Sequence, residues 1–185
     1  MTPTRPPIPA ELKRRVMMES GYRCAIPVCR NHPAEVDHID DWAKVTEHKF
    51  ENLIALCPIC HARKGNRPGQ IDRKALLGYK ANLGQLNMLY GDMERRMLEA
   101  FAERRSVGEP LGEILIPFYL TFMISGLIKD GHLYVTTESF GAVFAGPTPV
   151  GYGLTETGIA LVDGLIAAQP VGEGLEGAEI REFPE

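Results

Sequence analysis

The part of the chain that decides its fold spans residues 24–61 and reads CAIPVCRNHPAEVDHIDDWAKVTEHKFENLIALCPICH. It holds all four cysteines of the chain, as Cys24-x4-Cys29 and Cys57-x2-Cys60, with 27 residues between the two pairs. Two closely spaced cysteine pairs are typical of a closed structural zinc site, in which four thiolates surround one ion. The sequence therefore predicts a small domain held together by Zn²⁺.

Four further polar residues are interleaved with the cysteines: Asp37, His38, Asn52 and His61. Together with the cysteine pairs they resemble the motif of the HNH, or ββα-metal, endonucleases over roughly residues 8–68. The resemblance implies an α+β protein whose small, zinc-stabilised, treble-clef-like domain hydrolyses DNA phosphodiester bonds. It also implies products with 5′-phosphate and 3′-hydroxyl ends.

The resemblance assigns a role to each of these residues. His38 would be the general base, because a neutral imidazole can accept a proton from water near neutral pH. Asn52 would orient that ring through its side-chain carbonyl. Asp37 and His61 would bind the catalytic cation. Members with three histidine ligands carry one where this chain has Gly65, so we expect Asp/His coordination, which suits Mg²⁺ or Mn²⁺ and also permits Ni²⁺ or Zn²⁺.

Other interpretations of the same residues stay open. A catalytically inactive zinc module that binds nucleic acid or protein would explain the cysteines but not the four interleaved residues as a set. His61 alone could be a spare zinc ligand. We expect His32 and His48 to be surface loop residues, His132 to be a strand residue, and Trp42 to fill the small core.

Charge is divided unevenly along the chain. Residues 1–80 carry 14 Lys and Arg against 9 Asp and Glu, a net of +5, whereas residues 81–185 carry 6 against 15, a net of −9. A basic half that also holds the metal motif suits a phosphate-rich substrate such as DNA. Six basic residues flank the motif and are expected either to contact phosphates or to form a solvated face: Lys13, Arg14, Arg15, Arg63, Lys64 and Arg67.

The predicted organisation has four parts: a nuclease domain at 1–70, a long helical connector at 71–106, a second domain at 107–170 and an acidic tail at 171–185. The first part should contain a helix over 10–20 and a strand over 35–39. Apolar residues recur at alternating three- and four-residue steps from Leu76 to Ala100, which favours either a coiled-coil seam between two copies or packing within the chain's own domain. Glycines at 78, 84 and 91 each lower helix stability, so this element could be bent or divided.

The second domain is similar to the MarR-like winged-helix proteins over about 60 residues. The pattern predicts an apolar helix over 118–129, a strand over 132–137, a turn-rich loop, another strand and a helix over 156–168. A DNA-reading helix usually carries Arg or Lys, and this one has only Lys129. We therefore expect contact with a regulatory protein or a second copy, as a homodimer, with DNA reading as the alternative.

Composition also bears on location and role. The proline-rich start lacks the apolar core of a signal peptide, and cysteines used for metal binding suit a reducing cytoplasm. The apolar run over 114–128 has 15 residues, which is shorter than the roughly 20 that a bilayer span needs. We expect a cytoplasmic protein without a membrane partner, and the family resemblance associates such enzymes with bacterial anti-phage defence or conflict systems.

Overall fold

The computed structural model describes residues 6–136 and 149–171. The chain forms two compact units: the first extends to Gly84 and includes Ala167–Gln169, and the second begins at Gln85. The predicted acidic tail (171–185) and the predicted turn-rich loop between the last two strands lie mostly outside the described residues.

The first unit is a β-hairpin with helices on both faces. Its elements are α1 (Ala10–Glu19), β1 (Glu35–His38), α2 (Trp42–Val45), a 3₁₀ turn (Phe50–Asn52), β2 (Leu53–Leu56), α3 (Pro58–Ala62) and the start of α4 (Arg73–Leu89). The strands β1 and β2 are antiparallel, with Asp37 opposite Ile54 and His38 opposite Leu53. The predicted helix and strand are confirmed to within one residue at each end.

All four residues of β2 are buried, because apolar groups cover both faces of the hairpin. Successive side chains of a strand point to opposite faces. Leu53 and Ala55 accordingly pack with Val16 of α1. Ile54 and Leu56 pack with the cysteines and with Leu76 of α4. The hairpin therefore ties the cysteine cluster to the helical part of this unit.

An ion pair buried inside the first unit joins α4 to α1. The ammonium of Lys80 binds the carboxylate of Glu19, and it also lies 3.6 Å from the centroid of the Phe50 ring. The side chains of Lys80 and Glu19 are only 9% and 12% exposed. Burying one of these charges without the other would be costly, so the pair fixes how α4 meets α1.

The predicted apolar stripe does not form one continuous seam, because the helix divides. Helix α4 ends at Leu89, and α5 (Asp92–Ser106) starts after Gly91 at its N-cap. Leu76 and its half-buried neighbours Tyr79 and Leu83 belong to the core around the cysteines. In the second unit, Tyr90 and Met97 are buried. The structure thus supports the interpretation in which the stripe packs within the chain.

The second unit contains a three-stranded antiparallel sheet in the order β3-β5-β4. Its elements after α5 are β3 (Ile114–Pro117), a 3₁₀ segment (Phe118–Ile124), α6 (Ser125–Lys129), β4 (Leu133–Thr136), β5 (Pro149–Leu154) and α7 (Glu156–Ile166). The single apolar helix predicted over 118–129 is wrong, since a 3₁₀ segment occupies its first seven residues. Helix α7 ends two residues before the predicted end.

Glu94 organises the interior of this second unit. Its carboxylate is buried and accepts hydrogen bonds from the N–H of Gly91 at 2.8 Å, of Gly126 at 2.7 Å and of Leu127 at 3.2 Å. One side chain thereby satisfies the first N–H groups of α5 and α6, which helices leave without partners in their own first turns.

In the described parts of the chain, no helix has the length and apolar character to cross a membrane.

Candidate functional site

The four cysteines converge on one point beside the hairpin. Cys24 and Cys29 lie on a tight loop, closed by hydrogen bonds from Cys24 N to Asn31 O and from Cys29 N to Ile26 O, both 3.0 Å. Cys57 caps the N-terminus of α3, where its sulfur accepts the N–H of Cys60 at 3.4 Å. The four sulfurs lie within 4.8 Å of one another, and those of Cys29 and Cys57 are 3.6 Å apart.

This cluster fits a tetrahedral zinc site. Four sulfurs about 2.3 Å from one Zn²⁺ would lie roughly 3.8 Å from each other, which is close to the separation seen here. Burial raises the pKa of Cys24 to about 11 and raises that of Cys60 as well. Burial also opposes ionisation of Cys57, but hydrogen bonds from Cys60 and the neighbouring thiols lower its pKa. A divalent cation would stabilise the thiolates that such crowding otherwise disfavours, so the predicted structural zinc set is consistent with the geometry.

Asp37 and His61 meet beside the cysteine cluster. Asp37 is held by the strand register of β1, and His61 follows Cys60 on α3, so the cysteine cluster positions its imidazole. Oδ2 of Asp37 and Nε2 of His61 are 3.4 Å apart. Two ligands of one ion at about 2.1 Å lie roughly 3.0–3.4 Å apart in octahedral or tetrahedral coordination. The pair therefore has a separation at which both side chains can hold one divalent ion.

Lys64 also binds Asp37, which the sequence did not indicate. Its ammonium lies 3.1 Å from Oδ2 of Asp37, donates to the main-chain carbonyl of His38, and is 3.8 Å from Oδ1 of Asp41. The sequence predicts either phosphate contacts or a place on a solvated face for Lys64. In the described residues, its ammonium instead contacts the carboxylates of Asp37 and Asp41 and the carbonyl of His38. The neighbouring Arg63 is exposed and donates to the carbonyl of Gly69.

The imidazole of His38 is buried in a cluster of three rings. Its side chain is 2% exposed, and Nε2 lies 3.0 Å from Nδ1 of His48. Trp42 packs edge-on against His38 with centroids 5.7 Å apart, and more nearly parallel to His48 at 4.5 Å. His48 lies in a loop, as expected, but it is half-buried and its ring contacts His38. Trp42 lies beside these imidazoles and is only half-buried, rather than filling the apolar core.

Hydrogen bonding through His48 defines which nitrogen of His38 carries a proton. Nε2 of His48 lies 3.1 Å from the carbonyl oxygen of Pro6, and a carbonyl oxygen only accepts, so this nitrogen must be the donor. In the neutral ring, Nδ1 of His48 is then the acceptor, and Nε2–H of His38 donates to it. This assignment follows from the hydrogen-bond network.

Asn52 binds main-chain atoms next to His38. Its Oδ1 accepts from the N–H of Asp40 at 2.7 Å, and its Nδ2 donates to the carbonyl of Asp40 at 3.1 Å. The main-chain carbonyl of Asn52 also accepts from Ile39 at 2.8 Å. The predicted contact was a side-chain carbonyl bonded to the His38 ring. Asn52 instead fixes the backbone immediately after His38, whereas His48 contacts the ring itself.

Asp40 extends this network to the first turn of α4. Its carboxylate forms a two-pronged pair with the guanidinium of Arg73, whose Nη2 lies 2.8 Å from Oδ2 of Asp40. The hydrogen bond from Arg73 lowers the pKa of Asp40. Hydrogen bonds therefore hold both the main chain and the side chain of Asp40, and they fix the position of the segment that follows β1.

Comparison with known proteins identifies the first unit more specifically than the second. Neither the curated proteins nor the solved structures contain a match to the chain. No family match supports the predicted MarR-like resemblance of the C-terminal region. Residues 22–67, which enclose the cysteine cluster and the residues around His38, match the family model described as HNH endonuclease, and this supports placing that region in the HNH family.

Proposed function

We propose that this chain is a metal-dependent HNH endonuclease that hydrolyses phosphodiester bonds in DNA. The observation that carries the proposal is the 3.4 Å separation of Asp37 Oδ2 and His61 Nε2. Carboxylate and imidazole at this distance can share one divalent ion, and the adjacent histidine has the chemistry of a general base. The family match over residues 22–67 points to the same activity.

In the proposed reaction, Asp37 and His61 hold the catalytic cation, Mg²⁺ or Mn²⁺. When bound, this cation stabilises negative charge on the phosphate and on the departing 3′ oxygen. His38 accepts a proton from the attacking water, and its contact with His48 holds the ring. Asn52 fixes the backbone after His38, and the cysteine cluster fixes α3, which carries His61. Together they keep β1 and α3 in fixed positions within the site.

The basic character of the first 80 residues supports DNA as the substrate. Lys13 and Arg67 are exposed and lie in the segments flanking the motif, where they can contact phosphates. Arg14 is also exposed but pairs with Glu11 on the same helix at 2.7 Å. None of these features reads base edges, so we propose cleavage with weak sequence preference.

A second candidate is the inactive zinc module, and one observation favours it. The ammonium of Lys64 already neutralises Asp37. If that contact were permanent, Asp37 could not act as a metal ligand, and the domain would bind nucleic acid without cleaving it. Cleavage dependent on a divalent ion separates the two candidates.

The test is a plasmid-nicking assay with zinc-loaded protein in Mg²⁺ or Mn²⁺, compared with EDTA. We expect cleavage in the presence of either ion and none in EDTA. Asp37→Asn should remove it, because the amide lacks the charge that holds the cation. Glu35→Gln is the matched control, since Glu35 is an exposed carboxylate on the same strand. Equal cleavage by Asp37→Asn and Glu35→Gln would reject the proposed metal site.

For the second unit we propose a winged-helix-like module that contacts protein, either a second copy of the chain or a regulatory partner. The central strand β5 pairs antiparallel with β4 on one side and with β3 on the other, and this small sheet supports the winged-helix-like proposal. The 3₁₀ segment in front of α6 exposes Phe118, Tyr119 and Phe122 at 59–71% and carries no basic residue. Light scattering on the full chain tests the homodimer, which should have twice the mass of 20.5 kDa.

A further inference from the structure

The ammonium of Lys64 occupies the cation-binding side of Asp37. The side chains of Lys64 and Asp37 are 19% and 18% exposed, so their contact is largely screened from solvent. Oδ2 of Asp37 lies 3.1 Å from Lys64 Nζ, which also donates to the His38 carbonyl, and 3.4 Å from His61 Nε2. One carboxylate oxygen thus serves the lysine and would also serve a divalent ion.

The fold places Lys64 there through its main chain. The N–H of Lys64 donates to the carbonyl of His61 at 3.1 Å, continuing the last turn of α3. Lys64 also forms a parallel bridge with Ile71, supported by hydrogen bonds from Ile71 N to Arg63 O and from Gly65 N to Ile71 O. The lysine is therefore fixed on the same short segment that carries His61.

We propose that Lys64 is a displaceable internal cation, which neutralises Asp37 when no divalent ion is bound and sets the metal affinity of the site. This inference rests on the proposed function. An ion held by Asp37 and His61 would lie within a few ångströms of the ammonium, and like charges at that distance repel strongly in a partly buried site. Binding of the ion must therefore move the ammonium away from Oδ2.

Asp41 offers a second carboxylate that can pair with the displaced ammonium. Its Oδ1 lies 3.8 Å from Lys64 Nζ, and its side chain is 66% exposed. A small rotation of the lysine would exchange Asp37 for Asp41 and keep the charge paired. The divalent ion then competes with an ion pair that the protein itself supplies, so removing the lysine should tighten metal binding.

The experiment measures Mn²⁺ affinity on zinc-loaded full-length protein by electron paramagnetic resonance of the free ion. Lys64→Met should bind Mn²⁺ about tenfold more tightly than wild type, or better, because it removes the competing charge. Arg63→Met is the matched control, since it deletes an adjacent cation that bonds Gly69, and its affinity should equal that of wild type. Lys64→Met with Asp37→Asn should lose the gain.

Equal or weaker Mn²⁺ binding by Lys64→Met would overturn the inference. If Lys64→Met fails to retain its zinc, Lys64→Gln provides the same comparison with a polar side chain, and equal affinity there also overturns it. The nicking assay separates this result from the proposed function. Tighter Mn²⁺ binding without cleavage by wild type would reject the nuclease and retain the role of Lys64, whereas cleavage without tightening would reject only that role.

Discussion

Nε2 of His38 and Nδ1 of His48 lie 3.0 Å apart, although the two residues are ten positions apart in sequence. His48 in turn donates to the carbonyl of Pro6, which anchors the ring to the segment preceding α1. A histidine that acts as a general base needs one nitrogen held and the other available to accept a proton. His48 supplies the first requirement for His38.

His48→Ala should reduce cleavage while the domain keeps its zinc. Loss of a group that orients a catalytic imidazole typically costs about 10–100-fold. Single-turnover cleavage rates measure the effect, and His48→Gln, which can still accept a hydrogen bond from His38, should restore part of the rate. His32→Ala is the matched control because His32 is exposed. Identical rates for His48→Ala and His32→Ala would show that the ring contact has no role in the reaction.

Cys60→Ser should impair folding itself. In a structural zinc site, the free energy of metal binding contributes directly to the folded state. Cys60 is buried at the start of α3, so losing its thiolate would also release His61 from its position. Elemental analysis should find one zinc per wild-type chain, retained after brief EDTA treatment that stops cleavage. A folded wild-type protein without zinc would contradict the four-thiolate assignment.

The cysteine cluster could be predicted from sequence because the spacing within each cysteine pair is typical of a zinc site, whereas the roles of Asp37 and its neighbours were inferred from a family resemblance. Cys57 is the N-cap of α3, and Cys60 and His61 lie within that helix, so five consecutive residues define their relative positions. The role of His48 depends on the path of its loop through space. The role of Lys64 depends on which acceptor its long side chain reaches. A histidine in a polar loop carries no periodic or spacing signal, so only the three-dimensional structure reveals its contact.

The second unit was predicted less accurately for a related reason. An apolar run over 118–129 resembles a buried helix, yet Phe118, Tyr119 and Phe122 are exposed. Aromatic residues are only moderate helix formers, and Pro117 directly precedes the segment as its N-cap, so local preference for an α-helix is weak there. The division at Gly91 follows more directly from sequence, since glycine is a poor helix former and a good N-cap.

Glu94→Ala should destabilise the second unit by about 2–6 kcal/mol. The substitution removes the acceptor of three N–H groups; exposed Gly91 can bond water instead, whereas the less accessible donors of Gly126 and Leu127 cost about 1–3 kcal/mol each. Chemical denaturation measures the loss. Glu103→Ala, an exposed position on the same helix, is the control and should change stability by less than about 0.5 kcal/mol. A comparable loss in both variants would contradict the capping role.

His132 should make stability depend on pH. It is 7% exposed, and neither ring nitrogen has a hydrogen-bond partner among the described residues. Burial lowers the pKa of this imidazole below the usual histidine value of about 6.5, an effect that the charge of Asp130 partly opposes. The unfolded chain therefore binds this proton more readily, so stability is full above about pH 6.5 and falls as pH decreases toward the folded pKa.

His132→Phe should flatten that dependence between about pH 7 and pH 5, because a ring of similar size replaces the titrating group. One proton contributes at most about 1.4 kcal/mol per pH unit. Denaturation midpoints across this range give the slope for each protein. His32→Phe should retain the wild-type slope, and an unchanged slope in His132→Phe would mean that other groups cause the pH dependence.

The role of His38 is tested by the rate at which His38→Ala cleaves plasmid DNA in Mn²⁺, with zinc content and thermal unfolding recorded on the same sample. His38 is assigned no part in zinc binding, so the variant should keep one zinc per chain. Its cleavage rate should fall by about 10²–10⁴, as expected for loss of a general base. Wild-type products should carry 5′-phosphate ends that ligase can rejoin. Cleavage by His38→Ala at the wild-type rate would contradict the assignment of this site as the nuclease centre.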